Sequence, residues 1–135
     1  MYPGKAIYRI PYADTDQMGV VYYGNYLRYF EMGRSEWLVQ TGYPYSRIEE
    51  KGIGLPIIEA HIDYKAPAKY EDLIRVDTKF EQLSKVRVKV SCQVYNQNDE
   101  LLVEGYTIHS CFHLEKKRPI KLPICFIEHM QKNLD

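Results

Sequence analysis

Residues 13–37 read Ala-Asp-Thr-Asp-Gln-Met-Gly-Val-Val-Tyr-Tyr-Gly-Asn-Tyr-Leu-Arg-Tyr-Phe-Glu-Met-Gly-Arg-Ser-Glu-Trp. An acidic turn, Asp14-Thr15-Asp16, leads through a short apolar link and Gly24 into a helical pattern. Tyr26, Tyr29, Phe30, Gly33 and Trp37 recur at three and four residues, which predicts a helix over 25–40 with those side chains on one face. Leu27, Leu38 and Val39 add apolar cover on other sides, so the helix is expected to be surrounded rather than laid on a surface. Asn25 is the expected N-cap, and Gly42 the expected C′ residue with Pro44 two positions on. A carboxylate thus stands close in sequence to a helix start, whose first N–H groups have no intrahelical partner and carry the positive end of the macrodipole. One end of one helix can supply both a charged catalyst and a cradle for a developing oxyanion.

Outward from that stretch the pattern becomes strand-like. Lys5 to Tyr12 alternates and ends at Pro11, as a terminal strand does. A second helical turn is expected at 45–50, then Gly52 and Gly54 release the chain. Strands follow at 55–64, 73–82 and 86–95, the last with Val86, Val88, Val90, Cys92 and Val94 on one face. A turn at Asn96-Gln97-Asn98-Asp99 leads into a strand over 101–114, and residues 127–134 are expected to form a short terminal helix. Close links between successive strands imply an antiparallel sheet. One long helix with about five such strands gives an α+β layer in which the sheet curls about the helix.

The chain has 135 residues with 45% apolar content, enough for one domain with a real core. Eighteen basic residues balance eighteen acidic ones, which argues against general nucleic-acid or membrane-surface binding. Cys92, Cys111 and Cys125 are odd in number and widely spaced, which fits reduced thiols. Met1 to Ile10 lacks an apolar leader segment and no run approaches a membrane span, so a soluble cytoplasmic protein is expected.

The ordered motifs resemble the 4-hydroxybenzoyl-CoA thioesterase-like acyl-CoA thioesterases. They are Asp14-Thr15-Asp16, then 19–26 with Tyr29-Phe30-Glu31, then 64–72 (Tyr-Lys-Ala-Pro-Ala-Lys-Tyr-Glu-Asp), then Arg118-Pro119-Ile120-Lys121-Leu122-Pro123. The resemblance implies the hotdog fold, a curled antiparallel sheet wrapped round one long helix, and hydrolysis of acyl-CoA to free acid and coenzyme A. It places Asp16 on the catalytic aspartate and Tyr23 where a backbone N–H polarises the thioester carbonyl. Gly24, Asn25, Tyr26 and Glu31 then border the substrate. Tyr23 stands where one branch of the family often has histidine, and Gly24 where another often has proline, so the acyl group stays open. It also implies a homodimer or homotetramer with the site at an interface, and no metal or bound cofactor.

An aspartate before a helix most often serves as a turn former, and spacing alone favours that role for Asp16; the ordered motifs reverse the preference. Asp14 is read as a turn residue. Hydrolysis needs a base or nucleophile, which Asp16 can be in either sense, and an oxyanion donor. Lys85, Arg87, Lys89 and Arg118 are ordinarily solvated surface charges, but coenzyme A phosphates need such groups. His109 and His113 share a strand face about 13 Å apart, too far for one metal ion. The alternatives are a hydratase or dehydratase on the same fold, which calls for a histidine near the central helix where none of the four is expected, and a non-catalytic acyl-thioester binding module.

Overall fold

The computed structural model describes residues 5–134; Met1–Gly4, part of the segment read for a leader, and Asp135 lie outside the described residues. Five strands form one antiparallel sheet: β1 (Lys5–Arg9), β3 (Ile57–Tyr64), β4 (Leu73–Gln82), β5 (Arg87–Tyr95) and β6 (Leu101–Ser110), in the spatial order β1-β4-β5-β6-β3. Strict alternation in β5 turns Val88, Val90, Cys92 and Val94 into the core, as their spacing predicts. The register Ala6↔Val76, Val76↔Val94 and Val94↔Val103 carries that apolar stripe across four strands.

Helix α1 (Asn25–Thr41) lies on the stripe with Tyr26, Tyr29, Phe30, Gly33, Trp37 and Leu38 buried. Gly33 sets the distance, because a methyl there would stand 2.5 Å from Thr78 Oγ1 and 2.8 Å from Val76 Cγ1. Trp37 stacks on Phe80 at 4.3 Å between ring centroids, and α3 (Ile124–Lys132) closes the far end with Phe126 and Met130. The helix stops at Gly42, whose φ of +88° suits a left-handed cap only glycine adopts freely.

Several boundaries differ from the sequence expectation. The first strand ends at Arg9, and Tyr12–Asp14 form a 3-10 turn after Pro11. The N-cap position falls on Gly24 and lacks a side-chain cap, because the Asn25 amide is drawn to the Asp14 carbonyl instead. Leu27 and Val39 are exposed, so the sheet curls along one side of α1 only. The strand read as 55–64 begins at Ile57, and that read as 101–114 breaks at Cys111. There β2 (Ile53–Gly54), β7 (Phe112–His113) and β8 (Arg118–Pro119) make a second small sheet. His109 and His113 therefore lie in different strands. The second helix, α2, covers Tyr45–Glu49; α3 begins at Ile124, where Pro123 suits the N-cap position.

Candidate active site

The acidic turn is tied to the start of α1 by a short set of bonds. Asp14 is 7% exposed. Its Oδ2 accepts hydrogen bonds from Tyr29 Oη at 2.7 Å and Tyr8 Oη at 3.5 Å, and Oδ1 pairs with Arg28. Burial alone would raise its pKa, but the Tyr29 and Arg28 hydrogen bonds and the Arg28 charge outweigh it and hold the carboxyl below the ordinary aspartate value. The Asp14 carbonyl accepts both the Tyr22 N–H and the Asn25 Nδ2–H, each at 2.9 Å. Thr15 bridges Val21, Asp16 N–H bonds Val20 O, and Val21 N–H bonds Ala68 O. These bonds lay the turn beside the residues that open the helix.

Asp16 is exposed at the tip of that turn. Its Oδ1 accepts the Met18 N–H at 2.8 Å, an Asx turn, and Gly19 closes it with φ of +79°. At the helix start, the N–H groups of Tyr23 and Gly24 have no acceptor among the described residues. Tyr22, Tyr23 and Tyr64 form an exposed aromatic wall around them, with Tyr64 Oη donating to Tyr23 O at 3.1 Å. Tyr26 is only 2% exposed and packs against Tyr29 and Tyr64, so it supports that wall and presents almost no surface of its own. The Asn25 side chain is committed to Asp14.

Glu31 lies six residues along α1 from Asn25, about 9 Å of helix. It lines a cleft of about 410 Å³ with Arg34, Ser35, Leu38, Leu55, Ile57 and His109. His109 thus lies against the central helix, contrary to the sequence expectation. Its Nδ1 meets Leu55 O and its Nε2 meets Thr107 Oγ1, both at 2.8 Å, and burial with the nearby Arg34 charge lowers its pKa to about 4. His129 also reaches α1, with Nε2 2.8 Å from Thr41 Oγ1 at the helix end.

The basic residues lie elsewhere. Arg87 pairs with Ser110, at the end of the sheet where Ile57 pairs with His109, whereas Tyr64 stands beside the Asp16 turn. The seven residue steps of β3 between those ends span about 24 Å. Arg87 and Lys89 also point away from α1, with Lys89 Nζ 4.7 Å from the centre of the Tyr106 ring. Lys85 and Arg118 are exposed, Arg118 on β8 opposite His113. Within the chain these four do not meet Asp16. Among the described residues no three His, Cys, Asp or Glu side chains are grouped to hold a metal ion, and no helix is long and apolar enough to cross a membrane.

The Asp14, Arg28, Tyr8 and Tyr29 network escaped the sequence reading because its members are scattered over twenty-two residues in two periods. The one available sign was Arg28, a cation set among the tyrosines that open the helix. Comparison with known proteins agrees with the fold. The protein YneP of Bacillus subtilis is 33% identical over 126 residues, covering 93% of this chain and 91% of its own. The acyl-CoA thioesterase YbgC of Haemophilus influenzae is 30% identical, with 85% of each chain covered. The solved DHNA-CoA thioesterase of Staphylococcus aureus superposes with a TM-score of 0.90 at 30% identity, over 98% of this chain and 91% of that one. The thioesterase-like superfamily profile matches residues 10–134, so the chain belongs to that superfamily and is a hotdog-fold thioester hydrolase.

Proposed function

We propose that the protein hydrolyses an acyl-CoA thioester to the free acid and coenzyme A, with Asp16 as the working carboxylate and the Tyr23 N–H as oxyanion donor. The observation that carries this reading is the pair of open N–H groups at Tyr23 and Gly24 beside a turn whose tip presents Asp16. A thioester carbonyl set against those donors gains charge on oxygen as it is attacked, and one such donor contributes about 3 kcal/mol. Asp16 attacks the carbonyl carbon directly or takes a proton from a water that does so. Gly24 keeps the approach to the carbonyl narrow and free of side chain, and Glu31 borders the acyl group further along α1. The exposed tyrosines flank the carbonyl, and an aromatic acyl group stacks on them.

The unpaired edge of β3, with Ile57, Ile58 and Tyr64 exposed, supports a homodimer, or a tetramer built from two. Antiparallel pairing of two β3 edges about a two-fold axis brings the Ile57 end of one subunit to the Tyr64 end of the other. Lys85, Arg87, Lys89 and Arg118 then approach a partner's coenzyme A phosphates. The hydratase reading has less support, since both ring nitrogens of His109 are already engaged and no other histidine borders the 410 Å³ cleft.

The test is coenzyme A release from short, medium, long and aromatic acyl-CoAs, followed with a thiol reagent. Asp16→Asn should lose turnover by about 100-fold or more while still binding substrate. A wild-type protein inert on every acyl-CoA would favour the binding-module reading.

A further inference from the structure

Away from the thioester site, the two ends of the α2 segment and the start of α3 bring three reactive side chains into one triangle. Lys51 Nζ lies 2.9 Å from Cys125 Sγ, Tyr43 Oη lies 3.2 Å from the same sulfur, and Lys51 to Tyr43 is 3.4 Å. Tyr43 is fixed by rings on both sides, Phe126 at 5.2 Å and His129 at 5.1 Å, and Arg47 stands 4.3 Å above its ring. Cys125 is half-buried at the second residue of α3, where the helix start favours negative charge, and Lys51 is exposed. The Lys51 and Tyr43 hydrogen bonds lower the Cys125 pKa, whereas burial raises Cys92 and Cys111 to about 11. Of the three thiols, Cys125 alone combines access with a stabilised thiolate.

We infer that Cys125 takes an acyl group from acyl-CoA and passes it to Lys51, so that the pair is an acylation site separate from the thioester-hydrolysing centre. In the first step the Cys125 thiolate attacks the thioester carbonyl; a C–Sγ bond forms, the bond to the coenzyme A sulfur breaks, and coenzyme A leaves as thiolate. Acylation removes the negative charge that held the Lys51 proton, and Lys51 then loses that proton to water. Its neutral amine attacks the same carbon, the C–N bond forms, the C–Sγ bond breaks, and the electron pair returns to sulfur. The new amide nitrogen gives its extra proton to water. Lys51 Nζ stands 2.9 Å from the sulfur that carries the acyl group, so the second step is intramolecular. The inference rests on exposure to an acyl thioester and is independent of Asp16.

The experiment incubates wild type, Cys125→Ser, Lys51→Arg and Asp16→Asn with acetyl-CoA at neutral pH, then maps adducts by peptide mass. Wild type and Asp16→Asn should show early acetylation at Cys125, removed by hydroxylamine, and later acetylation at Lys51, resistant to it. Lys51→Arg should stop at the sulfur adduct. Cys125→Ser should acetylate Lys51 about tenfold or more slowly. An unmodified Cys125, labelling of Cys92 and Cys111 at the same rate, or a Lys51 rate unchanged in Cys125→Ser would overturn the site. An adduct that never leaves sulfur would overturn the transfer. Coenzyme A release by wild type, read on the same samples, reports separately on the hydrolytic centre.

Discussion

Asp14 and Asp16 are two residues apart and do opposite work. Asp14 is an anchor, its carboxylate held by Tyr29 and Arg28 inside the fold; Asp16 is left at the surface. Asp14→Asn keeps the shape and removes the charge, and Arg28 is partly solvated, so the loss of stability should be about 1–3 kcal/mol in urea unfolding at neutral pH. Because the folded pKa of Asp14 lies below its unfolded value, its contribution is present above about pH 4 and disappears as pH falls further. The variant's deficit should therefore shrink in acid. His109 has the same sign at a higher window. Its folded pKa of about 4 lies below 6.5, so stability is full above 6.5 and falls as pH drops toward 4, by up to about 3 kcal/mol. His129, lowered by burial and by the charges of Arg47 and Lys132, adds to that slope. His109→Gln should flatten the wild-type dependence of the unfolding midpoint on pH, and an unaltered slope would assign it to another group.

At the scale of the element, α1 is held by contact rather than by propensity. Glycine inside a helix costs about 1 kcal/mol against alanine, yet Gly33 lies where α1 crosses β4 most closely. Gly33→Ala gains propensity and forces its methyl against Thr78 and Val76, and overpacking of this kind costs about 1–3 kcal/mol. The net effect should be a lower thermal midpoint, measured by circular dichroism, with Gly33→Ala in an isolated α1 peptide moving helicity the other way. Since α1 positions Tyr23 and Gly24, turnover should fall along with stability.

For the whole molecule, the unanswered surface is the β3 edge together with the exposed side of α1. Sedimentation at micromolar concentration should give at least a dimer. Replacing Ile58 with lysine on that edge should weaken assembly and, if the basic residues serve a partner's site, raise KM for acyl-CoA more than it lowers kcat. A wild-type monomer with full activity would defeat the shared site.

The alternation of 86–95 and the three-and-four spacing of 26–37 were enough to give the sheet, the helix and the face each buries, because periodicity records which side meets water. The ordered motifs added the family. The ends of elements were less legible: the Asn25 side chain donates to the distant Asp14 carbonyl rather than capping the helix, and the break at Cys111 depends on pairing with β2 and β8, which alternation does not report. Asp14 and Asp16 look alike in sequence, and only packing made one an anchor and the other a surface group. The separation of Arg87 from Asp16, the place of His109 beside α1 and the meeting of Lys51 with Cys125 are likewise products of tertiary structure. Each concerns residues more than fifty positions apart, and nothing local in a chain records which distant segment its side chains will touch.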